Sequence, residues 1–161
     1  MKKALGLVLV MLVIFTGCQM KNYTPEIPLT LNENVKVVSG DYSYTCKIRK
    51  SESNEVQAEI TSTSAKGLVM QYDGSTLDFT YCDYSYSIDA ENFERKNPAI
   101  VVYEVFECVN SPDSAKGFKT DNGYKYEGKI SLGNFTLYLR DDSSVSLITV
   151  KSAGFVMEFT D

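Results

Sequence analysis

Residues 42–50 read YSYTCKIRK, with Tyr44, Cys46 and Ile48 on one side of the alternation and Thr45, Lys47 and Arg49 on the other. A period of two predicts a strand with one wet face. After the polar turn Ser51-Glu52-Ser53-Asn54 the pattern returns over residues 55–61, with Val56, Ala58 and Ile60 inward, so the two segments predict a hairpin. A second hairpin is predicted where residues 67–72 meet Asp73-Gly74, because Gly tolerates the positive φ of a primed turn. Beyond that turn, Leu77, Phe79 and Tyr81 alternate with Asp78 and Thr80.

The period changes at Asn97-Pro98, where Asn caps a helix and Pro suits its first position. Ile100, Val101, Tyr103, Val105, Phe106 and Cys108 follow, with Glu104 and Glu107 on the wet face, and residues 98–109 are predicted as the one helix. Strands resume over residues 117–120, 124–132, 135–140, 145–151 and 155–160, separated by turn residues such as Asp121-Asn122-Gly123 and Asp141-Asp142-Ser143. Hairpin following hairpin predicts an antiparallel meander. A twisted sheet this long curls, and one helix cannot cover both its faces. The expected fold is mainly β (α+β): a curved antiparallel half-barrel with the central helix packed on its concave face. Its inward side chains are large: Tyr44, Ile48, Ile60, Met70, Phe79, Phe135, Leu137, Leu139, Phe155, Met157 and Phe159. They form either a packed core or a lined pocket.

The N-terminus has another grammar. Lys2 and Lys3 precede an apolar run over residues 4–15, then Thr16-Gly17-Cys18. The run is shorter than the roughly 20 residues that a membrane span requires, so it reads as an export signal. A plain secretory signal needs no cysteine at the cut, whereas Phe15-Thr16-Gly17-Cys18 resembles the lipobox of bacterial lipoproteins. That resemblance implies cleavage before Cys18 and a diacylglyceryl thioether on its sulfur, the only attached group expected. Several acyl chains make a stable anchor where one is marginal. The chain therefore divides into a signal (1–17), a lipidated N-terminus with a Pro25- and Pro28-containing spacer (18–35), and a single domain (36–161) outside the cytoplasm, held at the cell membrane.

The whole chain has 16 basic and 21 acidic residues; removal of residues 1–17 takes Lys2 and Lys3, leaving 14 against 21, a net charge of −7. That field repels phosphate backbones, so nucleic acid is not an expected partner. With no histidine, Ser/His/Asp and Cys/His catalysis is excluded, and no Walker, dinucleotide or G-x-S-x-G motif is present. Catalytic and metal sites are therefore not expected. Asp141-Asp142 reads as turn chemistry. Cys46, Cys82 and Cys108 read as small buried or half-buried hydrophobes, with one disulfide as the alternative. Tyr81, Tyr84 and Tyr86 cluster after the second hairpin, where tyrosines serve either a recognition surface or a half-buried strand.

The ordered series Tyr44-Thr45-Cys46-Lys47-Ile48, Lys66 to Gly74 (KGLVMQYDG), the helix after Pro98, Tyr126-Glu127-Gly128-Lys129-Ile130, Asn134-Phe135-Thr136-Leu137 and Gly154 to Phe159 (GFVMEF) is similar to small lipoproteins of Gram-positive bacteria. These in turn look like the LolA-like lipoprotein-carrier superfamily. The resemblance implies an unclosed β half-barrel with a helical lid, whose hollow holds acyl chains. It makes Tyr44, Ile48, Ile60, Met70, Phe79, Tyr103, Phe106, Leu137, Phe155 and Met157 the candidate residues for a lipid-like or other apolar ligand. The soluble carriers of that superfamily have no lipid anchor, whereas Cys18 would fix this chain to one membrane. The expected function is non-enzymatic ligand binding at the cell envelope; the alternative is a protein-interaction module, an accessory subunit or adhesin, using a Tyr-rich acidic face.

Overall fold

A computed structural model describes residues 26–160. The expected signal sequence and Cys18, the expected lipidation site, lie outside the described residues. Eleven strands form one antiparallel sheet: β1 Leu31–Ser39, β2 Tyr42–Lys50, β3 Val56–Ile60, β4 Val69–Tyr72, β5 Thr76–Tyr81, β6 Tyr84–Asp89, β7 Ala115–Thr120, β8 Gly123–Ile130, β9 Gly133–Leu139, β10 Val145–Val150 and β11 Phe155–Thr160. Their order is β6-β5-β4-β3-β2-β1-β11-β10-β9-β8-β7, so the first and last strands pair at the centre. One helix, α1, Pro98–Asn110, joins the two outermost strands.

The curvature follows from what α1 touches. It packs on β3 and β4 in one wing and on β7 and β8 in the other. In the strand order β3 and β8 stand six places apart, about 29 Å on a flat sheet. A helix only about 10–12 Å across reaches both only if the sheet wraps around it. The expected half-barrel with a helix against its concave face is thus present.

The predicted strands and turns recur, with two additions. β1 begins inside the segment expected to be spacer, so residues 31–35 belong to the domain and the spacer reading is corrected there. Leu31, Val35 and Val37 are buried, but Glu33 occupies the same phase and Asn32 and Asn34 flank it, which hides the alternation. β6 is the other addition. Only Ile88 of its six residues is even half-buried, so little apolar patterning marked it as a strand.

The antiparallel register gives the half-barrel two ends. At the near end, where the N-terminal segment leads into Leu31, lie the β2–β3, β4–β5, β7–β8 and β9–β10 turns. At the far end lie the β1–β2, β5–β6, β8–β9 and β10–β11 turns. The near-end β7–β8 turn depends on Gly123, whose φ is +127° and where a Cβ would sit 2.1 Å from the Leu139 carbonyl oxygen. Asp142, in the β9–β10 turn, accepts from the Ser144 amide at 2.9 Å and the Ser144 hydroxyl at 2.6 Å, which is the turn role expected of it.

Candidate functional site

The register assigns each inward side chain to a cross-strand row. Ile48 pairs with Ala58, Ala58 with Met70, Met70 with Phe79, and Phe79 with Tyr86. On the other side Leu137 pairs with Ile148, and Ile148 with Met157. The ten candidate ligand residues do come together, as one interior. Ile48, Phe106, Leu137, Phe155 and Met157 have no exposed surface, Ile60 and Met70 are buried, and Tyr44, Phe79 and Tyr103 are half-buried against the same cluster. Phe106 and its helix occupy the concavity, so these side chains are packed as a core.

Polar contacts pin α1 to both wings. The Asn97 side chain caps the helix by accepting from the Ala99 amide at 2.9 Å, while its amide nitrogen donates to the Met70 sulfur at 3.1 Å. Asn54, in the β2–β3 turn, donates to the Glu107 carboxylate at 2.9 Å. Glu104 accepts from the Ser131 amide at 3.0 Å and from its hydroxyl, and pairs with Arg95 at 3.5 Å. Sequence reasoning placed Glu104 on a wet face; it instead ties the helix to the β8–β9 turn. Tyr103 meets Tyr72 edge-on at 4.9 Å between ring centres, and Gly74 leaves room for its hydroxyl, since a Cβ there would lie 2.4 Å away. Lys50 is buried beneath the chain: its ammonium donates to the Leu29 carbonyl at 2.6 Å and lies 5.1 Å from the Phe106 ring centre. This fastens the end of the N-terminal segment to the near end of the half-barrel.

The core row does not stop at the helix. Phe79 is covered by Phe93, 5.2 Å between ring centres, but the next residues of the same face are open: Tyr81 is 43% exposed, Tyr86 67% and Tyr84 81%. Tyr81 and Tyr84 pair across the strands, making an aromatic ledge on β5 and β6. It lies toward the far end, where Tyr42 is also exposed. Residues 73–94 add Asp73, Asp78, Asp83, Asp89, Glu91 and Glu94 with no lysine or arginine, so the ledge stands on acidic ground. The Tyr-Ser-Tyr-Ser-Ile alternation was the sequence signal for it. A polar cleft of about 580 Å³ opens beside β6, lined by Tyr72, Ser87, Asp89, Glu91 and Arg95 among others.

The three described cysteines are free. Cys46 is buried and Cys108 half-buried as expected, but Cys82 is exposed at the β5–β6 turn with φ +53°, correcting the expectation that it packs inside. Burial pushes the Cys46 thiol up to about 12, and burial with the nearby Cys46 pushes the Tyr44 phenol up to about 12. Both hold their protons more tightly folded than unfolded. Their contribution is complete below about pH 9, where the unfolded thiol starts to ionise, and is lost as pH climbs toward about 12. Lys50 works the other way, because burial lowers its ammonium below 10.5 against the pull of Glu107, so it adds stability as pH rises to that value. Burial raises the Tyr72, Tyr103 and Tyr126 phenols as well, so with five raised acids against one lowered base thermal stability should fall from about pH 9, and Cys46→Val should delay the fall to about pH 10. A Tm that is flat from about pH 8 to 11 would refute this.

No family model matches the chain, and no curated protein does. Among solved structures, a LolA superfamily protein from Nitrosomonas europaea is similar with a TM-score of 0.43 and 11% identity, covering 86% of this chain and 86% of that one. At that identity the likeness says nothing of ligand or partner. Among the described residues no helix is long and apolar enough to cross a membrane.

Proposed function

We propose that the chain is a cell-envelope lipoprotein, fixed to a membrane by diacylglycerol on Cys18, whose domain binds a protein partner without chemistry. The observation that carries this reading is the position of the aromatic ledge. Its tyrosines continue the face of the core into solvent, toward the end of the half-barrel opposite the point where the N-terminal segment enters. With the anchor ahead of that segment, the ledge is free to face away from the membrane. Rigid rings with polar tips suit a recognition surface, and exposed aromatics in a row are more than scattered surface apolarity. A photo-crosslinker at Tyr81 on intact cells should capture one dominant protein, and Tyr84→Ser with Tyr86→Ser should remove it. An empty result with the parent protein would sink the reading.

A second reading keeps the acyl or lipid-like ligand that the family resemblance implies. It is favoured by the unbroken row from buried Met70 through Phe79 to exposed Tyr86, which gives an apolar chain a route from the surface to the interior. Such a ligand has to lift α1 from the hollow. Saturable uptake of a fluorescent fatty acid, reduced by Met70→Glu, is the expected sign.

A further inference from the structure

Among the described residues the sheet has two free edges, β6 and β7, and the molecule treats them differently. β7 contains Lys116 and Lys119, and α1 packs against it. Lysines on an edge strand are a usual guard against unwanted pairing. β6 reads Tyr84-Ser85-Tyr86-Ser87-Ile88-Asp89, with no lysine, arginine or proline, and all but Ile88 are exposed. Among the described residues it pairs only with β5, so its outer backbone N–H and C=O groups are a template for another strand.

The charge around β6 selects the strand. Two copies of β6 set side by side would bring both acidic wings together, which opposes self-pairing. In the pleat, Tyr84, Tyr86 and Ile88 face the concave side, while Ser85, Ser87 and Asp89 face the convex side with Asp78, which pairs with Ser87 and accepts from its hydroxyl. We propose that β6 accepts a basic extended segment of the partner protein as a twelfth strand. Its apolar side chains lie beside Tyr84 and Tyr86, and its Lys or Arg side chains lie on the convex side toward Asp78 and Asp89. The proposal rests on the partner-binding reading above and adds to it the bonded strand and the partner's charge.

The test uses the full-length lipoprotein in non-ionic detergent and a labelled peptide of about ten residues alternating lysine and valine. Fluorescence anisotropy should show saturable binding, weakened about tenfold or more by Ser85→Lys with Ser87→Lys and by raising salt from about 50 to about 500 mM. N-methylation of alternate peptide bonds keeps the charge and removes the ladder, so it should abolish binding. Equal binding of the N-methylated peptide, or of one alternating glutamate and valine, overturns strand addition. So does a dimer in sedimentation that Ser85→Lys with Ser87→Lys dissociates, since the occupant is then a second copy. If the lysine peptide fails while Tyr84→Ser with Tyr86→Ser still removes the cell-surface cross-link, strand addition falls and the ledge reading stands. If the cross-link also fails, both fall.

Discussion

Phe106→Ala should lower the free energy of unfolding by about 3–5 kcal/mol, the range for deleting a buried phenylalanine ring. The ring has no exposed surface, lies under the Lys50 ammonium, and belongs to the helix around which both wings of the sheet fold. Removing it leaves a void that backbone hydrogen bonding on either side prevents from collapsing fully. The loss is a large share of the roughly 5–15 kcal/mol that keeps a domain folded. Urea denaturation should show a lower midpoint with an unchanged slope. A change under about 1 kcal/mol would mean that the interior already has room there, and would favour the lipid reading over a packed core.

Cys18→Ala should release the protein from the membrane completely, with loss of the diacylglyceryl mass and no change in the unfolding curve. The last part follows from position: Cys18 precedes the first strand, which begins at Leu31, and Leu29 is the residue that Lys50 holds. The proposed anchor and the fold are separable on that account. Fractionation of cells with mass spectrometry of the released chain reads all three outcomes. A variant still sedimenting with membranes refutes the anchor.

Much of this fold was legible because its strands alternate cleanly. Residues 42–50 and 55–61 carried their burial in their spelling, and Asn97-Pro98 marked the helix start that its cap confirms. β1 was hidden by Glu33, a charged residue in an inward phase, and β6 by its exposure on nearly every residue. Neither failure concerns propensity alone; each strand is defined by its neighbours, β1 by β2 and β11, and β6 by β5. The site was less legible. Inward phase tells that Ile48 or Met157 leaves the solvent, but not whether a helix or a ligand meets it there. Glu104 looked wet because its partners, Ser131 and Arg95, are distant in sequence or belong to an irregular segment. The exposed Tyr84 and Tyr86 were recognisable as a cluster, but only the register shows that they extend the core face.

The pairing of β1 with β11 also bears on how the chain is made. Val35 lies opposite Phe159 and Asn34 opposite Thr160, so the middle of the sheet joins the first described strand to the last. Each wing is a run of local hairpins that form early, while the seam between them waits for a contact across nearly the whole domain, the kind of closure that slows folding. Until β11 has been synthesised the two wings have nothing to pair across the seam. For the exported lipoprotein proposed above, which crosses a membrane unfolded, that late seam is an inbuilt delay: the two wings stay unjoined along it until β11 has reached the far side.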